Sequence, residues 1–422
     1  MRPIVVGLVG VFVLTPLASG QGGKHLSLQD ALEVAYAQNP RMVTARQDVE
    51  AAKGRRIQAG AYPNPEAEVS VSEFSKGVGS GSTVGDDSVS VSQEVDLLGK
   101  VPLKRNIAQA EYDAARHMLD RTWNEVAFEV TRAYNTLLLS TQRVGVAREV
   151  LELARRLLDR VQLKYNAGEA LRNELLRAQI EVSKAENAVL EAEKQVFLDA
   201  AQLNILLGRD ARVPLVATDE LMYESQELDP DHLVTQALAQ RPDLKAREAA
   251  FQAQQEQVRL VLRDVLENPA ISAIGTRERG ETGTDQVFGM AVRWPLPFWN
   301  RNQGTIQEAQ AELKKRTAEQ EALTRQIGLD VISAVAEARL AQRQVTVLRS
   351  AVEQANELMR VATLQYGEGD INFITYLEHL AAARETKVNF IQALANYRTQ
   401  LALVNQAVAA TIIPSAAKEE SR

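Results

Sequence analysis

Cysteine is absent from the 422 residues, which excludes disulfides, thiolate metal sites, iron–sulfur clusters and a cysteine nucleophile. Histidine occurs only at His25, His117, His232 and His379, too dispersed for an i, i+4 metal pair on one helix. Positive charge is not in excess. The 48 Lys and Arg stand against 55 Asp and Glu, a net −7, so no basic face awaits a phosphate backbone and nucleic acid is not an expected partner. Aromatics are 5% of the chain, little for a wide globular core, where rings carry much of the bulk. Hydrophobic residues still reach 45%, which suits narrow aliphatic seams better than one thick core.

Long apolar runs are missing too. Beyond the amino terminus no segment approaches the roughly 18–20 apolar residues of a spanning helix, so any bilayer crossing must use β-strands. The amino terminus itself reads as an export signal over residues 1–20. Met1-Arg2 is the positive start, Ile4 to Leu14 is almost wholly apolar, and Pro16 precedes the small residues Ala18-Ser19-Gly20. Gln21 stands where a lipoprotein would carry cysteine, so no lipid anchor is expected.

What is present is written twice. Tyr165 and Gly168 reappear as Tyr366 and Gly369, both shifted by 201 positions, and Ala108-Gln-Ala-Glu111 returns at the same shift as Ala309-Gln-Ala-Glu312. Ala37-Gln-Asn-Pro40 matches Ala239-Gln-Arg-Pro242, and Asn64-Pro65 matches Asn268-Pro269, at nearly the same displacement. Each half follows one plan: a short helix, a proline-marked transition, two strand-like runs and a very long helical region. The expected organisation is a first repeat over 21–207, a linker over 208–231, a second repeat over 232–413 and a flexible tail over 414–422.

Proline is absent between Pro102 and Pro214 and between Pro297 and Pro414, so nothing forces a helix break there. A 4-3 apolar spacing runs from Leu119 through Val126, Leu137, Val144, Leu151 and Val161 to Tyr165, and again from Ile327 through Val331, Ala338, Val345 and Met359 to Tyr366. Such a period specifies coiled-coil packing. Returning helices are expected near Asn173 and Asn372, both read as N-caps. These helices alone fit an ordinary soluble rod equally well.

The strands decide against that. Glu68 to Glu73, Ser88 to Leu97, Ala270 to Thr276 and Phe288 to Trp294 alternate apolar and polar residues, the period-two signature of barrel strands. Their loops, Lys76 to Asp87 and Arg277 to Gln286, are rich in Gly, Ser, Thr and Asp. Trp294 and Trp299 fall where an interfacial aromatic girdle belongs. Four strands cannot close, because single-chain barrels need about eight. An open edge in hydrocarbon leaves backbone groups unpaired at several kcal/mol each. Eight strands leave an interior filled by side chains and a wider barrel can hold water, so a conduit favours three chains or more.

The duplicated halves, the Tyr-Pro63-Asn-Pro65-Glu lead-in, Gln93-Glu-Val-Asp-Leu-Leu-Gly-Lys100 and the Tyr-x-x-Gly helix turns resemble the outer-membrane efflux family typified by TolC. The nearest flavour is the outer-membrane component of cobalt–zinc–cadmium type resistance pumps, and the resemblance spans residues 28–408. It implies a mainly α fold with a small β part. Long α-barrel helices and four strands per protomer would build a homotrimer with a twelve-stranded transmembrane β-barrel in the outer membrane of a Gram-negative bacterium. It also implies an exit duct partnered by a periplasmic adaptor and an inner-membrane transporter, often of the resistance-nodulation-division type.

Residue by residue, the adaptor-contacting tips fall on Tyr165, Gly168, Glu169 and Leu171 and on Tyr366, Gly369, Asp370 and Ile371. The acidic rings that close many relatives fall on Thr375 and Glu378; the threonine departs from the usual aspartate, leaving Glu378 to place a carboxylate at the mouth. No nucleophile–base pairing is visible, no enzyme activity is expected, and no cofactor or metal site is read. The glycine run Gly77-Val-Gly-Ser-Gly81 lacks the following Lys-Ser/Thr of a phosphate loop. A type I secretion channel and a pore-free periplasmic scaffold remain as alternative readings.

Overall fold

The structure is a computed structural model in which residues 24–75, 83–280 and 283–409 are described. The expected leader, Gln21, the tail, and loop residues 76–82 and 281–282 lie outside the described residues. The first stretch runs β1 (Lys24–Leu26), α1 (Leu28–Gln38), α2 (Pro40–Ala59), β2 (Glu66–Ser75), β3 (Thr83–Glu94), α3 (Lys100–Asn166) and α4 (Arg172–Leu206). The second runs β4 (Leu215–Ala217), α5 (Pro230–Gln240), α6 (Pro242–Arg263), β5 (Ala270–Gly280), β6 (Gly283–Arg293), α7 (Gln303–Glu368) and α8 (Phe373–Val408), in the same order.

Several expectations are corrected here. The proline-marked transitions are helices: Pro40 and Pro242 occupy the first turns of α2 and α6, where a missing N–H costs nothing. Within segment 208–231, expected as a linker, lies a short strand that the sequence did not suggest: β4 pairs in parallel with β1 through Leu26 opposite Ala217. Tyr134, fully buried, donates its hydroxyl to Leu26 O at 2.9 Å and pins this small sheet to α3; burial pushes that hydroxyl up to about 12. The strands also reach further into their loops than alternation suggests, while β3 stops at Glu94, short of Leu97.

β2, β3, β5 and β6 form one antiparallel sheet in that order, so the two hairpins join through β3 and β5. Register sorts the side chains by face. Val69, Val89, Gly275 and Phe288 lie in one row, and Ala67, Val91, Ala273 and Met290 in the next on that face. The opposite face carries Glu68, Ser90, Ile274 and Gly289, then Ser70, Ser88, Thr276 and Val287. The apolar face is bare: Val69 is 70% exposed, Phe288 83% and Met290 82%.

The helices lie side by side. α3 runs 67 residues, about 100 Å at ~1.5 Å per residue. One flank meets α2 and α4, through Arg41 with Glu125 and Glu129 and through Arg155 with Glu186. The other flank meets α6 and α8, through Lys100–Asp264 at 2.9 Å and Lys387–Glu149 at 2.7 Å. α7 packs on the far side of α6 and α8, with Gln254 donating to Ala309 O. The heptad positions are the seam: Val126, Val130, Leu137, Val144, Ala154 and Val161 on α3, and Ile327, Val331, Ala338, Ala341 and Val345 on α7, are all buried. Their alanines let neighbouring helices approach closely.

The corresponding corners of the two stretches have diverged. Asn39, before α2, donates its side-chain amide to Leu206 O at 2.7 Å. Arg241, before α6, reaches Ala407 O, pairs with Asp243 at 2.6 Å and with Asp330 at 3.1 Å. Burial alone would raise the Asp243 carboxyl, but the hydrogen bonds and charge of Arg241 hold it below its ordinary value of 3.8. A depressed carboxylate stabilises the fold fully above its unfolded value and loses that contribution as pH falls below about 4. Removing one partner strands the other in a site only 5% exposed at Asp243. Arg241→Ala is therefore expected to cost roughly 3 kcal/mol in thermal unfolding followed by helical circular dichroism, with the loss shrinking below pH 4.

Candidate functional site

At the end of the helical layer remote from the sheet, the chain reverses twice. After α3, Gly168 takes φ +81°, its N–H reaches Tyr165 O at 3.0 Å, and Glu169 N–H reaches Lys164 O at 2.8 Å. After α7, Gly369 takes φ +89° and Asp370 N–H closes on Gln365 O at 2.8 Å. Both glycines occupy the left-handed region that L side chains rarely enter. The helix starts differ. Asn372 caps α8, its Oδ1 accepting from Thr375 N–H at 2.9 Å and from the Thr375 hydroxyl at 3.2 Å. Asn173 is not a cap: Leu171 holds that position with no side-chain bond, and Asn173 lies inside the first turn of α4.

The two tips meet. Arg160 donates to Thr363 O and Lys164 to Tyr366 O, each at 3.3 Å. The Lys164 ammonium also lies 4.9 Å from the Tyr366 ring centroid. α7 has no basic residue in its own last turn, so α3 supplies the cations that the negative end of the α7 dipole favours. Tyr366 is buried against Tyr376 and Phe373, with ring centroids 5.2 and 6.3 Å away. Burial, then the nearby Glu174 carboxylate, pushes its hydroxyl up.

Of the sequence-predicted tip residues, Tyr165, Gly168, Glu169, Leu171, Gly369 and Asp370 are exposed and Ile371 is half-buried. Tyr366 is only 5% exposed and serves the packing instead. Thr375 and Glu378 are one turn apart on α8, so they share a face; Thr375 is tied into the cap and Glu378 is exposed. Arg160, Lys164 and Tyr376 were not singled out from the sequence. The absence of a cation from the last turn of α7 was the available signal. No cluster of three metal-ligating side chains occurs among the described residues, and none of their helices is long and apolar enough to cross a membrane.

An amphipathic sheet with one bare apolar face, set on long helices that end in paired hairpin tips, is the framework of a membrane-channel protein. The sequence profile of the outer membrane efflux proteins matches residues 31–209 and 233–410, and the chain belongs to that family. It is an outer-membrane efflux channel, an exit duct whose helical layer is its periplasmic portion. The cobalt-zinc-cadmium resistance protein CzcC of Cupriavidus metallidurans is 21% identical over 384 residues, which cover 90% of this chain and 89% of CzcC. The crystal structure of CusC superposes with TM-score 0.76 at 15% identity, covering 93% of this chain and 95% of that one. The outer membrane protein VceC of Vibrio cholerae gives TM-score 0.73 at 17% identity, covering 91% and 96%.

The Asn372 cap makes a local prediction. Asn372→Ala is expected to cost about 1 kcal/mol at the start of α8, seen as roughly fivefold faster amide exchange at Thr375 with α3 unchanged.

Proposed function

We propose that three copies of this chain, each built from two repeats over 21–207 and 232–413 joined by 208–231, wrap a shared water-filled conduit. In this reading the duct passes substrate from a periplasmic adaptor and an inner-membrane transporter of the resistance-nodulation-division type to the exterior, by conduction and without chemistry. One observation carries the reading: every layer of the protomer ends in an unpartnered edge. The sheet ends at β2 and β6. The helical layer ends at α4, with Leu176, Ile180, Leu190 and Phe197 exposed, and at α7, with Leu329, Ile332, Leu340 and Val347 exposed. The α7 stripe is turned away from the face that packs on α8, at the 3–4 spacing of a helix seam.

In both layers one edge comes from the first stretch and the other from the second. Joining unlike edges is a head-to-tail contact, which makes a ring when the rotation from copy to copy completes a full turn. Twelve strands leave a lumen, whereas eight would be filled. The apolar face then meets lipid and the polar face lines the lumen. That lining carries Glu66, Glu68, Glu94, Asp86, Glu278 and Asp285 against the single basic Arg293. Its negative potential suits cations, and with the resistance named for the relative CzcC it supports divalent heavy-metal ions as cargo. The exposed tip residues are the surface offered to the adaptor. Thr375 and Glu378 face the periplasmic mouth in this assembly, where three Glu378 carboxylates would repel one another and attract cations.

Planar-bilayer recording tests the gate. Glu378→Ala is expected to raise single-channel conductance or to weaken cation preference, and unchanged conductance and selectivity would remove Glu378 from the mouth. Loss of the gene is expected to sensitise cells to cobalt, zinc or cadmium, and unchanged tolerance to all three would assign the duct a different cargo.

A further inference from the structure

The two outer strands of the sheet carry opposite charge at the same end. On the polar face β2 begins with Glu66 and Glu68, and β6 ends with Arg293, the one basic residue of that face among the described residues. All three are exposed, and none has a side-chain partner among the described residues. β2 holds no Lys or Arg from Glu66 to Ser75, so a second β2 could not neutralise it. Prolines stand beyond both charged ends: Pro63 and Pro65 before β2, Pro295 and Pro297 after β6. Proline cannot donate to a ladder, and strand pairing stops there.

Closing a tilted sheet fixes how far one edge slips past the other. Within the protomer one row runs Glu66, Ser92, Ser272 and Ala291. Four strand spacings of about 4.8 Å, at a tilt of about 35–45°, displace that row by roughly 13–19 Å, or four to six residues. An odd displacement would turn lipid-facing side chains into the lumen. Four or six remain. A displacement of four sets Ala291 opposite Ser70 of the next copy and Arg293 opposite Glu68 of that copy. A displacement of six sets Arg293 opposite Ser70, with Glu68 the diagonal neighbour on the same face, still within reach of a long side chain. Slip in the other sense would set Arg293 against Gly60 or Gln58, where α2 is ending and no strand is offered.

We propose that Arg293 forms an ion pair with Glu68 of the neighbouring copy, in the lumen wall where β6 of one chain meets β2 of the next. This rests on the three-copy reading. The pair selects unlike edges over like ones, because two β2 edges would meet without a cation. It also sets the register, since a further slip along the strands carries the two charges apart. A ring of three copies makes the pair at each joint. A lumen cation on Glu68, with Arg293 left to water, is the competing arrangement.

The test uses the full-length protein and two kinds of variant. Arg293→Glu, and separately Glu68→Arg, is expected to lower the trimer fraction surviving mild heating in detergent about tenfold, from about twofold at each of three joints. The combined swap is expected to return it to within about twofold of the native protein. No return, or a trimer indifferent to both single reversals, would overturn the pair and leave Glu68 to lumen cations. Cysteines report the register independently, because the native chain has none. Oxidation is expected to join Arg293→Cys to Glu68→Cys or Ser70→Cys across copies, and not to Asn64→Cys or Phe74→Cys. Joining at Asn64 or Phe74, or at none of the four while native mass spectrometry still counts three chains, would sink the pair alone. No joining together with a single chain would sink the three-copy reading with it.

Discussion

The structure depends on a sheet that cannot satisfy itself. Among the described residues, four strands present an apolar face that no helix covers and two edges without a neighbouring strand. Water would tolerate those edges but not so broad an apolar surface; hydrocarbon would accept the surface but not the edges. In the proposed assembly, closure against further copies, with lipid outside and water inside, removes both penalties. The helical layer repeats the problem in another geometry, because its outermost helices keep an apolar stripe after packing on their neighbours. Both layers thus give the same instruction about assembly.

Much of this was legible in the sequence because the long elements repeat their signals many times. α3 and α7 hold a 4-3 spacing over some 40 residues, and a wrong helix assignment would need many coincidences. The strands alternated cleanly enough to be found, although their ends were misplaced where loop-like Gly, Ser and Asp continue in extended conformation. α2 was missed because only Met42 and Ala52 of its 20 residues are buried, too few to print a period. β1 and β4 were missed because three-residue strands carry no pattern, and their partners are separated by nearly half the chain.

The candidate site was harder to read for a related reason. Tyr165 and Tyr366 occupy corresponding positions, yet one is exposed and the other buried. The difference lies in Phe373 and Tyr376, which belong to α8 and have no aromatic equivalents in α4. Asn173 and Asn372 looked alike as caps, but Leu171 takes the cap position of α4, two residues before the asparagine. Divergence between the halves is concentrated at such corners: an asparagine facing an arginine network, an exposed tip beside a packed one. The seams change residue between the halves, Leu137 against Ala338 and Val161 against Ala362, but keep apolar or small side chains so that the packing continues from helix to helix, while the corners are free to specialise.

The central claim is that the edges of one protomer are completed by those of others. Native mass spectrometry of the detergent-extracted protein tests it most directly, since it counts chains without assuming a pore. The account predicts a single species of three protomers that survives gentle activation. A monodisperse single chain with its sheet intact, or a two-chain assembly, would contradict it.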